Sequence, residues 1–250
     1  MVAPAKSERV VEVRGLHKAF GKNKVLQGFD MNVLRGENVM VLGKSGSGKS
    51  VLIKCIVGLL QPDEGHVTVL GNDVFGLDPD TLDRLRVKIG FLFQSSALYD
   101  SMTVRENLEF PLRRHWIAQK EKDREDLVRE ALENVGLMKA IDLYPSELSG
   151  GMRRRIGLAR TLILKPEIVL YDEPTTGLDP ITGKEIVELI LQLQQKYRTS
   201  SVIISHDLNV AKLAANRIIV LIDGINYAEG SYDELHRSND PKVKPFFIFM

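Results

Sequence analysis

The sequence predicts an α/β fold in which strands alternate with helices and a helical segment interrupts the alternation. A glycine-rich loop at residues 43–50 lies between a buried-strand pattern and a helix pattern. Residues 78–164 have the pattern of helices, and the alternation of strand and helix resumes at residue 168. The 250 residues are enough for one α/β domain with a substantial core and a smaller appended subdomain.

The elements before the helical segment follow from the spacing of apolar residues and from turn residues. Residues 10–15 alternate and then break at Gly15, which predicts an exposed strand that ends in a turn. The other elements predicted here are strands at residues 29–33, 38–42 and 66–70, and a helix at residues 50–60 that Pro62 ends. The strand at residues 38–42 leads directly into the glycine-rich loop.

The inserted segment is predicted to be helical because its apolar residues repeat with helical spacing. One stripe in residues 126–137 contains Leu127, Val128, Ala131, Leu132 and Val135, and Gly136 is placed to end the helix. The charged residues 119–125 are typical of a solvated helix face. Beyond the insertion we expect strands at residues 168–171, 201–205 and 218–222, and a helix near residues 183–197 with Asp179 and Pro180 at its start.

The 34 Lys and Arg residues and the 33 Asp and Glu residues give the chain a net charge of +1. This composition excludes an overall positive field that would attract nucleic acid or anionic lipid. Cys55 lies among apolar residues, so we expect core packing rather than redox or metal chemistry. No apolar run approaches the ~18 residues of a membrane span, and residues 1–9 lack the apolar centre of a signal peptide. A cytosolic subunit is expected, which still allows a peripheral position on a membrane protein.

Residues 43–50 (GKSGSGKS) match a phosphate-binding loop, which has a glycine, four residues and Gly-Lys-Ser. The glycines let the backbone curl so that N–H groups point at phosphate oxygens, and the next helix adds its N-terminal dipole. We expect Lys49 to bridge the β- and γ-phosphates and the Ser50 hydroxyl to bind Mg²⁺. The chain is therefore predicted to bind a nucleoside triphosphate.

Two carboxylates, Asp172 and Glu173, follow the apolar run at residues 168–171. Open α/β sheets bind ligands at the carboxyl ends of buried parallel strands, so acids at this position are placed for catalysis. We expect Asp172 to hold Mg²⁺, directly or through water, and Glu173 to act as the general base that polarises the attacking water.

Residues 145–155 (PSELSGGMRRR) resemble the signature segment of ABC-type ATPases, and the other segments of that family appear in order. These are Gln94 after residues 91–93, residues 176–179 after the carboxylates, and residues 205–207 after a strand. The likeness extends over about residues 10–230. It implies a P-loop NTPase (RecA-like) α/β core with an N-terminal antiparallel β subdomain at residues 8–93 and 165–240, an inserted α-helical subdomain at 94–164, and a tail at 241–250.

The resemblance also implies a site completed by a second copy of the chain, a homodimer closed over ATP and Mg²⁺. In this family the Ser-Gly-Gly turn offers Ser149 and backbone N–H groups to the γ-phosphate held by the other subunit. The other implied roles are adenine stacking for Phe20, γ-phosphate and Mg²⁺ sensing for Gln94, a cross-dimer contact for Asp179 and a γ-phosphate contact for His206. The residues expected to bind ATP are Phe20, Gly43, Lys44, Ser45, Gly46, Ser47, Gly48, Lys49, Ser50, Val51, Ser149, Gly150, Gly151 and Asp179. The catalytic set is Lys49, Gln94, Glu173 and His206, and the metal set is Ser50, Gln94 and Asp172.

Four stretches are more similar to the ATPases of Mla and Mce lipid transporters than to those of sugar or amino-acid importers: residues 93–113, 145–155, 179–182 and 239–247. This likeness implies phospholipid transport between the inner and outer membranes through a separate integral membrane permease, with an MCE-type lipid-binding protein in the complex. The ATPase would lie on the cytoplasmic face of the bacterial inner membrane as a peripheral subunit. Relatives often carry a longer C-terminal tail that reaches the partner subunit.

Other functions stay open at this stage. An ABC importer of polar solutes such as amino acids is the main alternative, and an ABC ATPase without a transporter is a further one. A purely regulatory nucleotide binder would lack the general base, whereas Glu173 and His206 are both present. Met152 stands where the family commonly has Gln, but the serine and glycine contacts remain, so we expect activity to survive. The arginines at residues 153–155 are more typical of ion pairs than of a nucleic-acid surface, and no nucleic-acid partner is expected.

Overall fold

The computed structural model describes residues 8–115 and 120–248, and these divide into two compact units. The first unit is formed by the chain up to Arg86 together with the chain from Thr199 onward, and the second is Val87–Arg198. The expectations for residues 1–7, for Gln119 and for the end of the tail at 249–250 lie outside the described residues. Within the described part of the chain, no helix has the length and apolar character needed to cross a membrane.

The strands are, in chain order, β1 (Arg9–Phe20), β2 (Asn23–Leu34), β3 (Asn38–Leu42), β4 (Glu64–Val69), β5 (Asn72–Asp73), β6 (Ile89–Leu92), β7 (Ile168–Asp172), β8 (Ser200–Ser205), β9 (Arg217–Ile222) and β10 (Ile225–Gly230). The helices are α1 (Lys49–Ile56), α2 (Pro79–Val87), α3 (Val104–Arg114), α4 (Glu121–Asn134), α5 (Gly150–Leu162), α6 (Pro180–Tyr197), α7 (Leu208–Ala214), α8 (Tyr232–His236) and α9 (Pro245–Ile248).

The first unit contains an antiparallel sheet in the order β2-β1-β4-β5. The sequence predicts an exposed first strand that ends at Gly15, and this is wrong in two respects. β1 continues through Gly15 to Phe20, and Val10, Val11 and Val13 are buried. Gly15 has a φ of +53° and lies where the pairing register with β2 shifts, so the glycine forms a bulge inside the strand rather than a turn after it.

The first unit also holds a second group of strands in which β3 lies between β8 and β9, parallel to both. β3 is buried along its whole length, as the apolar run at residues 39–42 predicts, and its first residue, Asn38, is a buried polar residue. Leu42, its last residue, is opposite Ser205 of β8 and Val220 of β9. The glycine-rich loop and the loop after β8 therefore start at the same edge of these strands.

The second unit combines the parallel pair β6 and β7 with helices α3 to α6. Leu92 is opposite Tyr171 in the pair, so the segments that follow these residues leave the strands at the same edge. Helix α6 begins at Pro180, where the Asp179 carboxylate accepts hydrogen bonds from the N–H groups of Ile181 at 3.1 Å and Thr182 at 3.0 Å. The predicted N-cap with Pro180 in the first turn is confirmed, and the helix ends at Tyr197 as predicted.

Helix α1 is shorter than its sequence pattern predicts, because it ends at Ile56 rather than near Leu60. Gly58 has a φ of +69° and terminates the helix before Pro62 is reached. Cys55 on this helix is fully buried, and burial raises the pKa of its thiol to about 11. Its expected role in core packing fits this environment.

The close approach of β1 to β4 gives a prediction for stability. Gly65→Ala should lower the free energy of unfolding by about 2–5 kcal/mol. An alanine in the left-handed conformation costs roughly 1–2 kcal/mol, and a steric clash costs roughly 1–3 kcal/mol. A Cβ on Gly65 would lie 2.3 Å from the Gly15 carbonyl oxygen, and φ is +96°. The matched control is Gly71→Ala, where φ is +77° and no atom lies within 4 Å of the added Cβ. Urea unfolding followed by circular dichroism measures both, and equal losses would show that the clash contributes nothing.

Candidate nucleotide-binding site

The glycine-rich loop connects β3 to α1, in the predicted order of strand, loop and helix. Gly48 is the N-cap residue of α1 and has a φ of +105°. A Cβ on Gly48 would lie 2.7 Å from the Val25 Cγ1 atom of β2. Both the backbone conformation and this neighbour therefore require glycine directly before Lys49.

The Lys49 side chain lies across the loop instead of extending into solvent. Its Nζ atom donates to the carbonyl oxygens of Gly43 at 2.8 Å and Lys44 at 2.9 Å. The residue is only 6% exposed, so these carbonyls replace the water that would otherwise solvate the ammonium group. The cation is held at the loop, where a phosphate oxygen can share its hydrogen bonds.

The same loop contains a second polar group suited to an oxygen-rich ligand. The Ser47 Oγ atom is buried and has no hydrogen-bond partner among the described residues. Buried hydroxyls without partners are uncommon in folded proteins and call for an explanation. A triphosphate at the loop would provide the missing partner, so the residues present fit the expected group.

An open cavity of about 610 Å³ borders the tip of the loop within the first unit. Its loop side consists of Lys44, Ser45, Gly46 and Ser47. The other lining residues come from the start of β2, the end of β9 with the β9–β10 turn, and the C-terminal segment: Asn23, Lys24, Val25, Gln27, Leu221, Ile222, Asp223, Gly224, Pro241, Lys242, Pro245 and Phe246. The volume is within the range of small-molecule sites.

His206 directly follows β8, and its strand neighbour Ser205 is paired with Leu42 at the edge where the glycine-rich loop begins. The structure therefore brings His206 to the same strand edge as Gly43. Asp207 fixes the next turn, since its carboxylate accepts the Asn209 N–H at 2.8 Å and caps α7. His206 itself is exposed.

Phe20 is the last residue of β1 and is 51% exposed, which leaves a ring face available to a ligand. The end of this strand is irregular, with a register shift between Lys18 and Ala19. Asp63 holds it in place, because its carboxylate accepts Lys18 Nζ at 2.7 Å and the Ala19 N–H at 2.6 Å. The Lys18 hydrogen bond is the main reason that the pKa of Asp63 is lowered.

Asp172 and Glu173 lie in the second unit, at the carboxyl end of β7. Asp172 is buried, whereas Glu173 is half-buried and has a φ of +50°. A left-handed conformation in a residue other than glycine or asparagine is uncommon and costs about 1–2 kcal/mol. The turn is closed by Thr176, whose N–H donates to the Glu173 carbonyl oxygen at 3.3 Å and whose Oγ1 donates to Glu173 Oε2 at 3.1 Å. The backbone of Glu173 is thus strained, and its carboxylate is held by a hydrogen bond within the same turn.

Gln94 is exposed and lies two residues after β6, at the edge of the β6–β7 pair that also carries Asp172 and Glu173. Sequence reasoning missed two residues next to these positions. One is the Thr176 hydroxyl described above. The other is Arg154, which is buried and donates to the carbonyl oxygens of Phe93 and Thr176. Arg154 lies three and four residues before Gly157 and Leu158, which are on the buried face of α5. This spacing is present in the sequence and could have predicted that Arg154 is buried.

The signature segment and Asp179 share one cavity in the second unit, with a volume of about 470 Å³. Ser149 is the N-cap of α5 and accepts the Met152 N–H at 3.2 Å. The cavity is lined by the starts of α5 and α6 and by their neighbours: Leu137, Ser149, Gly150, Gly151, Met152, Arg155, Gly177, Leu178, Asp179, Thr182 and Glu185. Hydrogen bonds from Thr182, its side chain first, lower the pKa of Asp179, so this carboxylate is charged at neutral pH. A helix N-terminus facing a cavity of this kind favours an anion.

Comparison with known proteins places these residues in a family context. Residues 26–176 match the family model described as ABC transporter. The chain is 37% identical over 236 residues to the probable ribonucleotide transport ATP-binding protein mkl of Mycobacterium leprae, covering 94% of this chain and 68% of that protein. It is 37% identical over 227 residues to the methionine import ATP-binding protein MetN of Brucella abortus, covering 91% of this chain and 61% of that protein. The chain therefore spans roughly two thirds of the length of these relatives.

Two solved structures agree with the fold. One is the ATP-binding cassette MJ0796, a dimer in a post-hydrolysis state bound to ADP and Pi. It is 35% identical to this chain with a TM-score of 0.80, and the match covers 89% of this chain and 98% of the MJ0796 chain. The other is cbiO1 from Clostridium perfringens, part of the ABC transporter complex cbiONQ. It is 27% identical to this chain with a TM-score of 0.83, and the match covers 91% of this chain and 90% of the cbiO1 chain. The predicted fold class, with its antiparallel β and helical parts, is confirmed.

Proposed function

Since the chain belongs to the ABC transporter family and is an ATPase domain that binds Mg-ATP, we propose that two copies close head to tail over two ATP molecules and drive transport through a separate permease. The observation that carries this proposal is the cavity formed by Ser149, Gly150, Gly151 and Asp179, which contains no residue of the glycine-rich loop. A γ-phosphate bound by the loop of one copy would meet this cavity of the other copy.

The residues of the first unit account for nucleotide binding. Lys49 binds the β- and γ-phosphates, because its ammonium group is already held at the loop by two carbonyl oxygens. Phe20 offers an exposed ring to the adenine. Mg²⁺ would be held by the Ser50 hydroxyl with Asp172 and Gln94, and when bound it neutralises charge on the phosphates.

Hydrolysis is assigned to Glu173, whose carboxylate accepts a proton from the attacking water. The strained turn and the hydrogen bond from Thr176 fix the direction of this carboxylate before ATP arrives. His206 contacts the γ-phosphate from the strand edge where the loop begins. Loss of the γ-phosphate removes the contacts that favour the closed dimer, so hydrolysis resets a conformational equilibrium.

The permease would bind beside the segment that follows Gln94. Tyr99 and Phe110 are 44% and 39% exposed, and their ring centroids lie 5.0 Å apart, so together they form an aromatic surface. Asn107 is fully buried and orders the loop below them, since its side chain bonds the backbone of Tyr99, Met102 and Thr103. An ordered apolar patch of this kind suits a short cytoplasmic helix of an integral membrane protein.

We assign phospholipid as the cargo, moved between the inner and outer membranes with an MCE-type lipid-binding protein in the complex. This assignment is supported by the likeness of residues 93–113 and 239–247 to the Mla and Mce ATPases. It places the chain at the cytoplasmic face of the bacterial inner membrane. A second candidate is an importer of polar solutes, favoured by the names of the mycobacterial and Brucella relatives.

Purification of the tagged chain from its native membrane in mild detergent tests the cargo assignment. We expect mass spectrometry to identify an integral permease, an MCE-type protein and bound phospholipid. As a control, the same preparation is made with Tyr99→Ala and Phe110→Ala together, which should release the permease while the ATPase itself remains folded. Recovery of a solute-importer permease without phospholipid would favour the second candidate.

A further inference from the structure

Arg154 is a buried cation whose partners are backbone carbonyl groups. It lies on α5 and is 5% exposed. Its Nη1 atom donates to the Phe93 carbonyl oxygen at 3.1 Å, and its Nη2 atom donates to the Thr176 carbonyl oxygen at 3.2 Å. Burial lowers the pKa of the guanidinium, which nevertheless stays protonated at any pH at which the protein folds.

The two carbonyl groups belong to segments that carry assigned functional residues. Phe93 directly precedes Gln94. Thr176 closes the turn of Glu173 through both its N–H and its hydroxyl. The guanidinium group of Arg154 therefore links two backbone segments. One directly precedes Gln94, the proposed γ-phosphate sensor, and the other is the turn that orients Glu173, the proposed general base.

The neighbouring arginines behave differently, although all three follow one another in the sequence. Arg155 pairs with Glu185 at 2.8 Å, and Arg153 is exposed. No carboxylate within the described residues forms an ion pair with Arg154. A buried charge without a counter-charge is costly, and an apolar side chain of similar volume would serve packing as well. The guanidinium is better explained by what it positions.

We propose that Arg154 is a positioning residue that couples the start of α5 to Gln94 and Glu173. The inference rests on the proposed roles of these two residues and of Ser149 at the N-terminus of the same helix. When the γ-phosphate of the opposite copy engages Ser149, α5 is held, and the rigid fork of Arg154 holds both backbone segments with it. ATP binding by the loop of the same chain does not depend on this connection.

Replacing Arg154 by methionine should therefore lower kcat while leaving the KM for ATP nearly unchanged. We expect a decrease in kcat of about 10- to 100-fold, since small displacements of positioned groups reduce rates by this order. Arg154→Lys retains the charge but not the forked donors, and should fall between the parent and the methionine variant. Arg153→Met is the matched control on the same helix and should keep the parent kcat.

A second measurement separates positioning from a merely structural role. Thr176→Val removes the hydroxyl that holds the Glu173 carboxylate, so its loss of kcat should not add fully to that of Arg154→Met in the double variant. Steady-state ATPase assays of the purified chain and thermal unfolding of each variant provide the data. Additive losses, an unchanged kcat, or a rise in KM equal to the fall in kcat would overturn the inference.

If Arg154→Met does not fold, Arg154→Lys provides the test. A parent-like kcat of this variant would contradict the proposal, and a lower kcat with an unchanged KM for ATP would support it. Failure of the proposed function itself shows in a different variant. In that case Glu173→Gln would hydrolyse ATP at the parent rate, whatever Arg154 does.

Discussion

Replacing Glu173 by glutamine should leave ATP binding intact and lower the hydrolysis rate by about 10²–10⁴-fold, the range that general-base catalysis contributes. The amide has nearly the same size and can still accept the hydrogen bond from Thr176 Oγ1. It cannot take a proton from water, so the closed dimer should accumulate with ATP bound. Size-exclusion chromatography with ATP and Mg²⁺ measures the dimer, and phosphate release measures turnover.

Glu167→Gln is a control with the same chemical change next to the same strand. Glu167 precedes β7, at the end opposite Glu173, and pairs with Lys88 at 3.4 Å on the surface. Its variant should hydrolyse ATP at the parent rate and should form no long-lived dimer. Equal turnover of Glu173→Gln and Glu167→Gln would remove Glu173 as the base.

Mixing two inactive variants, Lys49→Ala and Ser149→Glu, should restore part of the ATPase activity. The alanine removes the cation that the loop offers to phosphate, and the glutamate places a negative charge where the γ-phosphate of the other copy is expected. Each variant alone forms two defective sites. A mixed dimer contains one site with both defects and one site with neither, so about half of the parent activity per mixed dimer is expected if the sites turn over independently.

The recovery is measured by titrating one variant with the other at a constant total concentration and following phosphate release. A mixture of Lys49→Ala with Lys49→Ala/Ser149→Glu is the control, because no intact site can form in it. Activity in that control would show that Lys49→Ala does not inactivate a site. Restored activity in the first mixture alone supports shared sites, whereas no activity in the first mixture would show that each chain builds its phosphate site alone. The head-to-tail dimer would then be wrong.

Much of the candidate site is predictable because it depends on short, local patterns. The glycine-rich loop and Lys49 follow from one segment, and the N-cap Asp179 follows from a side chain that bonds to the next backbone N–H groups. Ser149 follows from the likeness of one short segment to the family signature. The structure confirms the predicted cap at Asp179 and shows Ser149 in the same role. Such features need no knowledge of which distant segments meet.

Other features depend on contacts between segments far apart in the chain. The continuation of β1 past Gly15 follows from pairing with both β2 and β4, which supplies backbone partners that the local turn signal does not include. The end of α1 at Ile56 depends on Gly58, where an added Cβ would lie 2.9 Å from Val74 Cγ1 and 3.3 Å from Leu82 Cδ1, so these neighbours leave room only for glycine. Local propensity is weak compared with such packing, so element ends move.

By itself the sequence determined the chemistry that this protein can perform: a phosphate loop, two carboxylates at a strand end and a serine at a helix start. Only the tertiary structure decided how those groups are held. The left-handed turn of Glu173, its support by Thr176 and the fork of Arg154 between two carbonyl oxygens join residues separated by up to 61 positions. These arrangements arise from burial and hydrogen bonding in the folded chain, where polar groups that have lost water must find partners across its length.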